Sequence, residues 1–412
     1  MELFDLIIIG AGPAGLMAGG RASELGARVL ILEKNKQAAI KLLMTGGGRC
    51  NFTNNASNRE FIKNFGNNGA WLLSGLSRFD SGDIIKFFAD RNIKSTANSE
   101  GKVFPENNNA SKIRETLINY VKKNGGEIRY DSKVIKIVNE GNKINKIIMA
   151  DRSEIAVKKI IIATGGNSYP LTGSSGDAYL WLKDLSHKII KPQAALCPIK
   201  VRGNFIKELE GLSFSGSSLS LYKNDKKIRE EAGDFIFTAD GLSGPAALNL
   251  SRYVSREDKT DLKLKIDFIF DLTKEELIKQ IQNLIDKNSK EAIRNILSKL
   301  TQKRLADYLL KYSNIDPLKK GALINKEERD SIGEFLKGYF LNIVALGGFN
   351  EAMITFGGVD LKEIDQKTMG SKLYSNLYFA GEILDLDGPT GGYNLQVAWT
   401  SGYLAGESAT SI

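Results

Sequence analysis

What this sequence has little of narrows its chemistry. Among 412 residues there is one histidine, His187, and there are two cysteines, Cys50 and Cys197. A single histidine removes most metal sites and any His-based triad that does not use it. DLSHK around it holds no other ligand cluster, so His187 is read as surface or structural and no metal is expected. Two cysteines cannot build a disulfide framework and suit a reducing compartment. Cys50 has no second cysteine near it in sequence and is read as a small buried packing residue. No apolar run reaches the roughly 18 residues that a membrane span needs. The first strand starts at residue 4, which leaves no room for a signal peptide, so a cytoplasmic location is expected.

Charge of one sign is in excess, at +9. The lysines are interleaved with acids, as in KKNGGE, KNDKKIREE and KEERD, and no basic block with interleaved aromatics is present. A solvated lysine-rich surface is the expectation and nucleic acid an unlikely partner. The charge would equally suit an anionic cofactor and a small-molecule substrate. The 42% hydrophobic content is ordinary for a globular chain long enough for two or three domains.

The opening, FDLIIIGAGPAGLMAGGRASELGARVLILE, organises the rest. Leu6 to Ile9 form the short apolar run of a strand covered on both faces. Gly10, Gly12 and Gly15 follow at G-x-G-x-x-G spacing, for a tight turn, a backbone approach to a pyrophosphate, and close helix–strand packing. A helix over residues 13–25 and a strand over 29–32 lead to Glu33, where a carboxylate can meet a ribose diol. Strand, helix, strand and acid in this order favour dinucleotide binding over a plain glycine-rich turn.

Further glycine-bearing loops follow. Residues 41–55, KLLMTGGGRCNFTNN, could lie along a phosphate or a flavin ring, or form a surface loop. KIIIA over residues 159–163 runs into TGGNSYPLTGSSGD, a second backbone-approach element. Near the end, GEILDLDGPTGGYNLQ precedes a closing helix, and a glycine pair at a helix start is a ready anion site. Between these lie short strands over residues 196–270, read as an antiparallel or barrel-like insertion. Amphipathic helices from Thr273, which makes a capping box with Glu276, extend to about Tyr339.

GAGPAG, TGGGRCNFTN, ATGGNSYPLTGSSGD, GLSGPA and TMGSKLYSNLYFAGEILDLDGPTGGYNLQVAW together resemble the BaiN/YhiN-type flavoproteins, the aminoacetone-oxidase-like group. The resemblance covers essentially the whole chain. It implies an α/β fold with a Rossmann-like FAD-binding domain of the two-dinucleotide-binding-domain type, carrying an inserted β-rich, barrel-like domain and a helical subdomain. The expected parts are 1–190 with 345–412, then 191–272, then 273–344. It also implies noncovalent FAD. Carried onto this chain, Gly10, Gly12, Pro13, Ala14 and Gly15 would meet the pyrophosphate, and Glu33 with Lys34 the adenosine ribose. Thr45, Gly46, Gly47, Gly48, Arg49, Cys50 and Asn51 would run beside the ribityl and ring portions, and Val134 would hold the adenine. Ala163, Thr164, Gly165 and Gly166 would close over the dinucleotide. Gly381 and Glu382 would reach phosphate and ribitol, and Gly391, Gly392, Tyr393, Asn394 and Leu395 the pyrimidine edge. Relatives often carry a histidine where Ala239 or Asp240 stands here.

The leading functional reading is an FAD-dependent oxidoreductase that passes a hydride through the flavin, with NAD(P)H as a transient donor and a small organic substrate. No second strand–G-x-G-x-x-G–helix unit is present to house a nicotinamide. The alternatives are a flavoenzyme acting on tRNA and a flavin-binding redox sensor without turnover. No carboxylate pair or His dyad marks a catalytic centre; Tyr169, Asp240 and Tyr393 are the polar candidates.

Overall fold

The computed structural model describes residues 4–203, 206–258 and 260–411. These fall into two compact units, residues 1–195 with 349–412 and residues 196–348.

The first unit is built on a five-stranded sheet in the order Leu377–Phe379, Lys159–Ile162, Leu6–Ile9, Val29–Leu32, Glu127–Arg129. Every neighbouring pair is parallel. Leu6–Ile9 and Val29–Leu32 are buried at all four positions, which explains their continuous apolar sequence. Helix Pro13–Glu24 follows the first strand, with Gly12 as its N-cap and Pro13 pre-set for the first turn. The closing helix Tyr393–Thr410 lies on it: a Cβ on Gly402 or Gly406 would come within 2.5 Å of the Ala14 carbonyl oxygen or 2.3 Å of that of Ala18. Glu127–Arg129 and Val134–Glu140 are two strands in different sheets. Asp131, at φ +51°, turns the chain between them.

Among its described residues the second unit carries an eight-stranded sheet and five α-helices of five or more residues, Pro245–Val254, Lys274–Lys287, Ile293–Leu297, Lys303–Tyr312 and Lys326–Gly338. Leu277, Ile281, Ile332 and Leu336 from the helices share one core with Leu219, Phe235, Leu264 and Ile343 from the strands, so strand-rich and helical segments are one unit. The helices end at Gly338, next to the expected limit at about Tyr339, and the remainder of the part expected over 273–344 is not helical. Tyr339–Leu346 is a strand whose first six residues alternate buried and exposed, the period-2 signature of a sheet with one covered face. It pairs with Ile199–Val201 on one side and Leu262–Asp267 on the other. Among the described residues no helix is long and apolar enough to cross a membrane, and no group of three or more His, Cys, Asp or Glu could hold a metal ion.

Candidate dinucleotide site

Parallel strands deliver their C-terminal ends to one edge, and ligands of such sheets bind there. In the first unit the loops after all five strands line one cleft of about 1350 Å³, open mouth included. Gly10, Gly12, Pro13 and Ala14 come from the first strand, and Glu33 and Lys34 from the second. Val134 follows Glu127–Arg129, Ala163, Thr164 and Gly165 follow Lys159–Ile162, and Gly381 and Glu382 follow Leu377–Phe379. Thr45, Asn394 and Leu395 also line it.

Three observations fit a dinucleotide. A Cβ on Gly12 would meet nothing within 4 Å, so the loop leaves a cradle beside the first helix's N-terminus. The Thr164 hydroxyl is buried in the wall without a hydrogen-bond partner. Glu33 is fixed by backbone, its Oε2 accepting from Ala11 N–H and its Oε1 from Asn35 N–H, both at 2.9 Å. Gly15 does not line the cleft; its Cβ would lie 1.9 Å from the Gly10 carbonyl oxygen, so it serves packing within the turn.

Two lysines frame the cleft. Lys34 Nζ pairs with Asp177 Oδ2 at 2.9 Å. Burial pushes the Asp177 carboxyl up, but this ammonium outweighs it and holds the group below its usual 3.8. Lys41 Nζ lies 2.7 Å from Glu382 Oε2 and 2.6 Å from Ser168 Oγ. Glu382 Oε1 in turn accepts from the Ser168 hydroxyl at 2.7 Å and from Thr355 N–H at 2.9 Å. Sequence reasoning gave Lys41, Ser168 and Thr355 no role in the site, although Lys41 and Ser168 lie in stretches it marked. Their meeting is tertiary, and KLLMTGGG drew attention to its glycines instead.

Several expected residues are elsewhere. Gly46, Gly47 and Gly48 have φ of +57°, +67° and +88°, so the glycines serve a left-handed turn, and none lines the cleft. Arg49 lies over the Phe104 ring and donates through Nε to Gly46 O, and Asn51 donates to Thr53 O and Val103 O, bonds that hold this loop. Cys50 is fully buried, and burial pushes its thiol up to about 12. Gly166 packs against Thr355 and Glu382, not the open cleft. Gly391 and Gly392 do not line it either; a Cβ on Gly392 would come 2.2 Å from Thr53 O. Tyr393 packs on Phe61 with ring centroids 4.7 Å apart. Asn394 reaches the cleft wall, but its side-chain amide bonds Gly388 and Pro389. Of the polar candidates, Asp240 pairs with Lys200 at 2.7 Å in the second unit, and neither Tyr169 nor Tyr393 lines the cleft. His187 is buried between Glu363 and Ser371, a structural position.

A parallel sheet whose glycine-bearing loops shape one such cleft is a Rossmann-like FAD-binding domain. The sequence matches the HI0933-like protein Rossmann domain over residues 4–408, and the chain belongs to that family, one of FAD-dependent oxidoreductases. It is 30% identical over 402 residues to the ribosomal RNA dihydrouridine synthase of Haemophilus influenzae, covering 96% of each chain. It is 28% identical over 408 residues to the 3-dehydro-bile acid delta(4,6)-reductase of Clostridium scindens, covering 98% of each. The solved 3-ketosteroid-delta4-(5alpha)-dehydrogenase of Rhodococcus jostii RHA1 shares the fold, with a TM-score of 0.54, 15% identity, and 99% and 97% of the two chains covered.

Proposed function

We propose that this protein is an FAD-dependent reductase that saturates a carbon–carbon double bond conjugated to a carbonyl, with a reduced nicotinamide as electron donor. The observation that carries the reading is one cleft, fed by all five parallel strands, with a glycine cradle at the first helix's N-terminus. Bound FAD supplies the two-electron hydride chemistry that no side chain here offers. Gly12 and the N–H groups of the first helical turn would hold the diphosphate, and Glu33 the adenosine ribose. Backbone around Val134 would hold the adenine. Thr164 and Glu382, the latter fixed by Lys41 and Ser168, would order the other half.

In the net reaction, a hydride from the nicotinamide ends on the carbon β to the carbonyl and a proton from solvent on the α carbon. The nicotinamide is oxidised and the double bond reduced. Two relatives bear names that describe such a bond. Dihydrouridine is uridine with its ring double bond saturated, and a delta(4,6)-reductase of a 3-dehydro bile acid acts on an extended enone.

The test is anaerobic stopped-flow. NADH or NADPH should bleach the flavin, and an acceptor, either a uridine-containing RNA or a small cyclic enone, should restore its colour. A flavin that neither nicotinamide bleaches would overturn the reading.

A further inference from the structure

The lysines and aromatics that stand apart in the sequence come together on one sheet face of the second unit. In Leu262–Asp267 and at the start of Tyr339–Leu346 every second residue is buried, so Lys263, Lys265, Phe340, Asn342 and Val344 point away from the core. Lys265 lies opposite Phe340 on one side and Ser220 on the other, while Lys263 lies opposite Asn342 and Tyr222. Phe340 and Tyr222 meet diagonally across that strand, with ring centroids 5.4 Å apart at 69°. Lys227 flanks Tyr222 from the edge strand. Phe340 is 49% exposed and Val344 44%.

An outward face of an antiparallel sheet is ordinarily polar. Here two rings stand in a checkerboard with lysines. Single-stranded nucleic acid is held in this way, bases on aromatic faces and phosphates on cations. Carboxylates are present too: Asp225 pairs with Lys263 and Glu230 with Lys227. The Asp225 pair is a surface pair of little strength, which a phosphate can displace, whereas Glu230 also accepts from the Ser218 and Ser220 hydroxyls and stays at the Ser220 side of this face. Among the described residues Lys265 has no carboxylate partner.

We infer that the face bearing Tyr222, Lys263, Lys265 and Phe340 binds single-stranded RNA. The inference rests on the reductase reading above and names its substrate class: a uridine presented in an RNA strand, whose ring must be out of a base stack to be reduced.

The test uses the FAD-loaded protein and a fluorescent single-stranded RNA of about 12 nucleotides, read by anisotropy across a salt series. Phe340→Ala and Tyr222→Ala should each weaken binding about tenfold without changing the salt dependence. Lys265→Gln should lower the slope of log K against log salt by about 0.7. Phe340→Trp should restore binding. Flavin content and melting temperature should be unchanged throughout, since these side chains lie outside the core. Equal binding by all variants, equal binding of a duplex of the same length, or no binding by the unaltered protein would each overturn the inference. In the last case, flavin still reoxidised by a small enone would leave the reductase reading standing.

Discussion

Lys41 and Glu382 are 341 residues apart in the chain, yet the ammonium of one lies 2.7 Å from the carboxylate of the other in the wall of the cleft. About a fifth of each side chain is exposed, at 21% and 22%. Replacing Lys41 with Met would leave a largely buried carboxylate short of one donor, although Thr355 N–H and the Ser168 hydroxyl would remain. The expected loss is about 1–2 kcal/mol of stability, with weaker FAD retention. Adding Glu382→Gln should recover part of it. Urea titration of the two single variants and the double variant checks this, and strictly additive losses would show that the pair is not coupled.

Gly12 and Gly15 should fail differently. A Cβ at Gly12 meets nothing, so Gly12→Ala should melt close to the parent without flavin but bind FAD poorly, because the methyl group occupies the cradle. A Cβ at Gly15 would collide with the Gly10 carbonyl oxygen at 1.9 Å, so Gly15→Ala should lose several degrees of melting temperature even without cofactor. Flavin-to-protein ratio and apo-protein melting separate the two. Full flavin in Gly12→Ala would mean that the cradle does not hold the diphosphate.

These outcomes also bear on what was legible in the sequence. Gly10, Gly12 and Ala163 to Gly165 stood out because strand, glycine and helix follow one another locally, and that local order sets where the backbone goes. Gly46 to Asn51 were conspicuous for the same reason, and in the structure Gly46, Gly47 and Gly48 form a left-handed turn. Lys41 with Glu382, and Tyr222 with Phe340, could not be read. Each pair is brought together by sheet order or register, which no run of residues encodes. The strand at 339 carried a visible alternation, but an uninterrupted series of amphipathic helices before it masked the change of period.

The lone histidine should impose a pH dependence on stability. His187 Nδ1 is 2.8 Å from Glu363, which favours the charged ring, but burial outweighs this and holds the imidazole below its ordinary 6.5. The unfolded ring titrates near 6.5 and so takes up its proton at higher pH than the folded ring. The contribution is therefore full above about 6.5 and is lost as pH falls through the folded value. His187→Gln should show a flatter dependence of urea midpoint between pH 7.5 and 5.5. Parallel profiles for the two proteins would sink the assignment.

The start of the closing helix gives the last prediction. A glycine pair before a helix suggests a backbone drawn close to a flavin edge, with Asn394 as an added donor. The geometry also gives these residues a structural task. Gly392 has φ +93°, and its Cβ would stand 2.2 Å from the oxygen and 2.3 Å from the carbon of the Thr53 carbonyl. The Asn394 amide accepts from Gly388 N–H at 2.8 Å and donates to Gly388 O and Pro389 O at 3.0 and 3.2 Å. Gly392→Ala therefore adds both a left-handed backbone strain and a steric collision, together about 3 kcal/mol or more. The loss should appear in the protein without cofactor, as a lower melting temperature. Flavin content should then fall only in proportion to the folded fraction, and the midpoint potential of the loaded molecules should stay where it is. Asn394→Ala should loosen the Gly388–Pro389 turn, a smaller loss of about 1–2 kcal/mol. A Gly392→Ala protein with unchanged melting but a shifted midpoint potential would return this glycine to the flavin.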